Sequence, residues 1–169
     1  MILMNLRPAL FAAFSMILIV SCGVSPQLAR ENTRTEAVSL LEKPLITVPL
    51  DDATQENYLD NLAKALSAYN ADPDDSDAII WYGRRMAYLG RYRESIAIFS
   101  EGIKKHPEDA RMFRHRGHRY ITVRQLDKAV ADLEYAARLS DGKQDIVEAD
   151  GLPNKLNIPT STLQSLSLI

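Results

Sequence analysis

The 169-residue chain contains a single cysteine, Cys22, and carries little net charge. One thiol cannot form a disulfide within the chain, so a small disulfide-stabilised framework is excluded. A formal net charge of −2 also excludes a protein dominated by charge of one sign. With 46% hydrophobic and 25% charged residues the composition is that of an ordinary globular protein, and the length suits one domain rather than two.

The chain also lacks the patterns that many enzymes and nucleic-acid-binding proteins share. It contains no Gly-x-Ser-x-Gly element, no layout of paired carboxylates and no groove-reading motif. His115 and His118 lie three residues apart and could share one helix face as metal ligands, but no third ligand is placed to complete the site. We therefore expect a protein that is not an enzyme and binds no metal, cofactor or nucleic acid, with ordinary surface histidines.

The charge that is present is unevenly distributed. Residues 76–140 carry thirteen Lys/Arg against eight Asp/Glu, whereas residues 51–75 carry one against seven. All three histidines also lie in the basic segment. Mild acidification should therefore make that segment more positive.

A strongly apolar run from Ala9 to Val20 follows an arginine and precedes small residues. This is the layout of a secretory signal, and the run is short for a membrane span. The stretch Ile19-Val20-Ser21-Cys22 resembles the lipobox of bacterial lipoproteins. The resemblance implies that a signal peptide of residues 1–21 is removed and that Cys22 is lipidated. The alternatives are an uncleaved anchor and a plain secretory signal.

Gly23, rather than an aspartate, follows the cysteine. By resemblance to Gram-negative lipoproteins this favours the bacterial outer membrane, with the protein facing the periplasm, although the inner membrane stays open. Residues 22–54 mix Ser, Thr and Pro with scattered apolar residues and show no helical period. We interpret them as a lipidated N-terminus and a flexible tether that holds the folded part off the bilayer.

Residues 76–109 align without a gap on residues 110–141, which follow them directly. Large residues meet large ones and small residues meet small ones. The aligned pairs include Ile79 with Phe113, Gly83 with Gly117, Phe99 with Leu133 and Gly102 with Ala136. A period of 34 with this order resembles the tetratricopeptide repeat. The resemblance implies an all-α fold of helical hairpins, a short α-solenoid whose small residues lie where two helices nearly touch.

A further amphipathic segment precedes these two units and stops before Pro73. It fits the second half of an earlier unit, so we predict about two and a half repeats. The predicted helical domain spans residues 55–140, with a half repeat at 55–75 and full repeats at 76–109 and 110–141. The register fails after Ser140, and residues 141–169 are predicted to be an irregular tail. Truncation of a longer array is one hypothesis for this tail.

Some arginines depart from the pattern of the resembled family. Arg116 stands where the family usually has leucine, and Arg85 and Arg119 stand at a position that is usually small. Buried arginines need partners. One candidate source of partners for Arg85 and Arg119 is the group of acidic residues before the first full repeat: Asp72, Asp74 and Asp75.

Members of the resembled family bind peptides along the first helices of successive hairpins. Transferred to this chain, the implied ligand-contacting residues are Ile80, Arg84, Tyr88, Arg111, Arg114 and His118. Arginines there would suit carboxylates or a peptide C-terminus. The alternative is plain solvation of these charged side chains, with Arg84 and Arg114 pairing with acids of the same chain.

As a whole the chain resembles the uncharacterised tetratricopeptide lipoproteins of bacteria. The resemblance implies a lipid-anchored scaffold or adaptor in the cell envelope, which binds a protein or an acidic peptide through a basic concave face. The alternative is a structural subunit of an envelope assembly, or a homo-oligomer, that docks through its uncapped end. Short arrays leave an apolar face on their last hairpin, which is the physical basis of this alternative.

Overall fold

The computed structural model describes residues 35–144. The predicted signal peptide, Cys22 and the tail from residue 145 lie outside the described residues. The described part is mostly helical, with five helices and one two-stranded antiparallel sheet among residues 35–144. Its helical content confirms the predicted all-α class. No helix in this range combines the length and the apolarity that a bilayer crossing demands.

The helices follow one another along the chain. They are α1 (Asp52–Ala71), α2 (Ser76–Tyr88), α3 (Tyr92–Lys105), α4 (Ala110–Thr122) and α5 (Leu126–Ser140). Helices α1, α2 and α4 each begin after an aspartate whose carboxylate accepts a hydrogen bond from a backbone N–H of the first turn. Such caps satisfy N–H groups that have no partner within the helix. Helix α1 follows its cap Asp51 and begins at Asp52, three residues before the predicted start at residue 55.

The helix bounds repeat with the period of the sequence. Helix α4 begins and ends one repeat period after α2, and α5 begins one repeat period after α3. The turns between them match as well, because Gly90 and Arg124 both adopt a left-handed backbone, with φ of 74° and 63°. Glycine enters this region freely, whereas an arginine does so at a cost in free energy. The turn of the second hairpin therefore keeps the geometry of the first, although arginine replaces glycine there.

Glycines lie where paired helices come closest. A Cβ on Gly83 would stand 2.6 Å from the ring of Phe99, and one on Gly117 would stand 2.8 Å from Cγ of Leu133. Phe99 is 1% exposed and Leu133 is fully buried, so neither side chain has room to move. These contacts bring α2 against α3 and α4 against α5 as two helical hairpins.

The two hairpins share one hydrophobic core. Its fully buried cluster is Ile79, Ile80, Phe99 and Met112. Helix α1 covers the first hairpin through aromatic contacts, since the rings of Tyr69 and Tyr82 stack with centroids 5.2 Å apart. This arrangement leaves α2 and α4, the first helices of the two hairpins, as neighbours.

Two short strands precede α1. Strands β1 (Thr35–Val38) and β2 (Pro44–Ile46) pair in antiparallel orientation. The turn between them is closed by backbone hydrogen bonds, in which the N–H of Ser39 donates to the carbonyl of Lys43 at 2.8 Å. The prediction of a flexible tether over residues 22–54 is wrong for this part of the chain, where the two strands form a β-hairpin.

Contacts with α3 hold the β-hairpin in place. Glu36 is 3% exposed, and its carboxylate accepts a hydrogen bond from the backbone N–H of Arg93 at 2.8 Å. Nε of Arg93 donates in return to the carbonyl of Glu36 at 2.9 Å. Helix α3 has no side-chain cap from its own N-cap residue, so Glu36 supplies a negative charge and an acceptor at this N-terminus. Thr47 packs on Gly90 beside it.

Candidate functional site

Helices α2 and α4 line a cavity of about 260 Å³. We call it the α2/α4 groove. Its lining residues are Arg84, Ala87, Tyr88, Phe99, His115, His118 and Arg119. Three predicted ligand-contacting residues, namely Arg84, Tyr88 and His118, are therefore brought together here.

The other three predicted ligand-contacting residues lie elsewhere. Ile80 is 2% exposed and belongs to the core cluster. Arg114 is 4% exposed and occupies the position of the second hairpin that corresponds to Ile80. Its Nη2 donates a hydrogen bond to Nε2 of His115 at 3.1 Å. Neither Ile80 nor Arg114 lines the α2/α4 groove.

Arg111 is engaged by acids of the chain itself. Its Nη2 lies 2.7 Å from Oδ2 of Asp109, and its Nη1 lies 2.6 Å from Oδ1 of Asp77. The hydrogen bond to Asp109 is the main cause that raises the pKa of Arg111. The solvation and ion-pair alternative therefore describes this arginine, which bridges the first turns of α2 and α4.

Arg84 is 5% exposed at the wall of the groove. Its guanidinium carbon lies 4.4 Å from the ring centroid of Trp81, and its Nη2 donates to the hydroxyl of Tyr88 at 3.1 Å. A cation over an indole face is stabilised by the ring quadrupole. These contacts fix the direction of the Arg84 side chain, which places a positive charge at the wall of the groove.

The protonation of His118 follows from its neighbour. Nη2 of Arg119 lies 2.8 Å from Nδ1 of His118, and a guanidinium can only donate. Nδ1 is therefore the acceptor, and Nε2 carries the proton of the neutral ring. Burial, followed by the charges of Arg119 and Arg114, lowers the pKa of His118 to about 4. His118 therefore adds little to the positive charge that the basic segment is expected to gain on mild acidification.

Arg119 adds a second guanidinium to the groove. Burial is the main cause that lowers its pKa, with Arg84 acting in the same direction and nearby tyrosines opposing it. Its guanidinium lies 5.9 Å from the ring centroid of Tyr92. An arginine keeps its charge at neutral pH even so. Of the described residues that line the groove, none carries a carboxylate.

The partner of Arg116 is Asp132 of α5. Nε and Nη2 of Arg116 each donate to one carboxylate oxygen of Asp132 at 2.7 Å. This two-point pair is the strong form of an arginine–carboxylate contact, and it raises the pKa of Arg116. No pattern in the sequence indicates the role of Asp132, because only the packing of α5 on α4 brings Asp132 to Arg116.

Two of the candidate acidic partners of Arg85 and Arg119 make other contacts. Asp74 pairs with Lys105 at 2.8 Å, and Asp75 caps α2. Arg85 lies instead over the rings of Trp81 and Tyr88, at 4.8 Å and 5.6 Å from their centroids. For Arg85, aromatic faces therefore take the place that the candidate carboxylates were expected to fill.

His115 stacks on the ring of Phe99, with centroids 5.6 Å apart. Among residues 35–144, no three His, Cys, Asp or Glu side chains form a group that could hold a metal ion. His115 and Phe99 both line the α2/α4 groove.

No protein-family model matches the chain, and no curated protein matches it. A functional proposal therefore rests on the α2/α4 groove and on the sequence.

Proposed function

We propose that the chain is a tetratricopeptide-like adaptor that binds an acidic peptide or protein segment in the α2/α4 groove. The observation that carries this proposal is the convergence of Arg119, Arg84 and His118 on one cavity between the first helices of two hairpins. Guanidinium groups bind carboxylates through two parallel hydrogen bonds. Neutral His118 adds one N–H donor, from Nε2.

The repeat geometry supports the tetratricopeptide assignment. The helix starts of the two hairpins coincide after a shift by one repeat period. The small residues at the helix contacts also correspond, because Gly83 meets Phe99 as Gly117 meets Leu133. A hairpin array presents its first helices on one face, which is where we place the ligand.

The second part of the proposal is lipid anchoring at Cys22 in a bacterial cell envelope, with the outer membrane favoured. The lipobox-like stretch before Cys22 supports it, since a thiol is the nucleophile that thioether formation requires. Labelled palmitate should enter the native protein and should be absent from Cys22→Ser. Equal labelling of the two proteins would refute the anchor.

Arg119→Gln tests the groove. Cross-linking in intact cells and mass spectrometry first identify the partner, and its affinity for the purified variant is then measured by titration. We expect a loss of at least about tenfold, because the partner's carboxylate loses its charged donor. Arg138→Gln, on the exposed side of α5, is the matched control and should bind normally. A folded Arg119→Gln protein with native affinity would contradict the proposal.

A structural subunit is the second candidate, and one observation favours it. A larger cavity of about 530 Å³ lies at the far end of the second hairpin, between the turn that starts at His106 and the end of α5. On the same helix Leu126 and Tyr135 are 39% and 38% exposed. Light scattering distinguishes the candidates. If the chain is a structural subunit, light scattering should show a mass above that of one chain. Tyr135→Ser should then lower this mass, and Arg119→Gln should leave it unchanged.

A further inference from the structure

Apolar exposure in the described chain is concentrated on the β-hairpin. Seven large hydrophobic side chains are exposed among residues 35–144, and five of them lie between residues 38 and 48. They are Val38 (54% exposed), Leu40 (95%), Leu41 (78%), Ile46 (56%) and Val48 (78%). We call this set the apolar hairpin surface. Clusters of this kind mark places where a protein meets another surface.

The two most projecting side chains, Leu40 and Leu41, occupy the turn between the strands. Turns usually contain Gly, Pro, Asn, Asp or Ser, each for a conformational reason that leucine does not satisfy. Folding gains almost nothing from leucines that stay 95% and 78% exposed. Their place at the tip therefore indicates burial in something other than this domain.

The tip is held rigidly enough to present these leucines. The N–H of Glu42 donates to the carbonyl of Ser39 at 2.9 Å, and the N–H of Lys43 donates to the hydroxyl of Ser39 at 3.1 Å. At its base, the β-hairpin is fixed on α3 through Glu36 and Arg93. The leucines therefore project at a set position relative to the helices.

The length of chain before the β-hairpin favours a membrane as the surface that the tip meets. Only residues 23–34 separate Cys22 from β1. Twelve residues span at most about 40 Å when fully extended. A lipid on Cys22 would thus keep the tip next to a bilayer at high effective concentration. The charges of Glu42 and Lys43 in the turn cancel, so little net charge opposes contact with the membrane surface.

We propose that Leu40 and Leu41 insert into the surface of the membrane to which Cys22 is attached, as a second contact that orients the helical domain. This inference rests on the proposed lipid anchor. A lipid on Cys22 holds the chain at the bilayer but leaves the orientation of the helical domain free, and apolar side chains inserted at the interface would fix that orientation. Two inserted leucines should strengthen partitioning by roughly tenfold or more. The α2/α4 groove would then face a set direction relative to the bilayer.

Fluorescence at the tip tests the inference in the lipidated protein. Lipidation consumes the only cysteine, so Leu41→Cys introduces a single reactive thiol, which is labelled with an environment-sensitive fluorophore. The protein is reconstituted into phosphatidylcholine vesicles with and without a nitroxide-bearing lipid. We expect blue-shifted emission that the nitroxide quenches. Leu126→Cys, an exposed leucine of α5, is the matched control and should be neither shifted nor quenched.

Palmitate labelling of the native protein separates failure of the inference from failure of the anchor. Labelled protein with an unquenched tip overturns the inference and leaves the anchor standing. Absence of palmitate overturns both. A blue shift without quenching by lipid places a protein surface, such as a second copy of the chain, on the tip, and this also overturns the inference. Partner binding by the groove is measured independently of all three outcomes.

Discussion

At the scale of single residues, His118 couples folding to pH. Its pKa is about 4 in the folded protein against 6.5 for the ordinary side chain. Between these values the unfolded chain binds more protons, so stability is complete above about pH 6.5 and decreases as the pH falls towards 4. The loss from this group amounts to at most about 3 kcal/mol.

We therefore expect that His118→Gln removes most of the decrease in stability between pH 6.5 and 4.5. Urea denaturation across this range measures it. His106→Gln leaves His118 intact and should keep the native pH dependence. If His118→Gln and the native chain lose stability equally with falling pH, the burial assigned to this ring is wrong.

Arg124 offers a second test at the residue scale. It is an exposed residue with a left-handed backbone, and its counterpart in the first hairpin is Gly90. Glycine at 124 removes the steric cost of this conformation, so Arg124→Gly should stabilise the protein by about 0.5–1 kcal/mol. Thermal melting measures the gain. Arg138→Gly, in the interior of α5, should instead destabilise, since glycine there weakens a helix.

We expect Arg116 and Asp132 to contribute to the stability of the protein only when both are present. Asp132→Ala leaves a partly buried guanidinium without its carboxylate and should cost about 2–4 kcal/mol. Replacing both residues by leucine removes the uncompensated charge, so this double variant should recover most of the loss. Chemical denaturation of Arg116→Leu, Asp132→Leu and the double variant provides the coupling energy. Additive losses would show that the pair does not act as a unit.

At the scale of elements, each helical hairpin depends on a glycine contact. Gly83→Val would drive a branched side chain into the buried ring of Phe99 and should destabilise by at least about 2 kcal/mol. Ala131→Val, at an exposed position of α5, controls for the lower helix propensity of valine and should destabilise the protein by only about 0.5 kcal/mol. Denaturation midpoints compare the two. Equal losses would mean that α2 and α3 do not approach at Gly83.

The helices were largely predictable because their signals are local. Apolar spacing, an aspartate before the first turn and small residues at the contacts all lie within one repeat, and their recurrence in the next repeat makes each signal stronger. The β-hairpin was not predictable in this way. Strand β1 is four residues long with two adjacent buried residues, so it lacks the alternation typical of a strand. Its contact with Arg93 spans 57 residues.

At the scale of the whole molecule, Glu36 connects the β-hairpin to α3 through two hydrogen bonds with Arg93. Glu36→Ala removes the acceptor at the N-terminus of α3 and should lower stability by about 1–2 kcal/mol. Amide hydrogen exchange should become faster in residues 35–47, and α5 should keep its native protection. Glu42→Ala, at the exposed turn, is the control and should leave exchange at the base of the β-hairpin unchanged. Unchanged exchange in Glu36→Ala would show that other contacts hold the β-hairpin.

The candidate groove was predictable only in part. The resemblance named Arg84, Tyr88 and His118, which the fold brings to one cavity. It missed Arg119 as a lining residue, because the repeat pattern usually places a small side chain there and gives no role for an arginine. It also treated Arg111 as a ligand residue, whereas Asp77 and Asp109 engage it.

The sequence by itself determined the all-α class and the repeating helix bounds, since capping, helical period and small residues at close contacts act over a few turns of one chain segment. Only the tertiary structure decided which charged groups from distant parts of the chain meet each other. Arg116 meets Asp132, and Glu36 caps α3, because packing brings together side chains that are 16 and 57 residues apart. In these two cases packing brings the partner from a distant segment, so the residues that neighbour Arg116 and Glu36 in the sequence do not indicate which group each side chain meets.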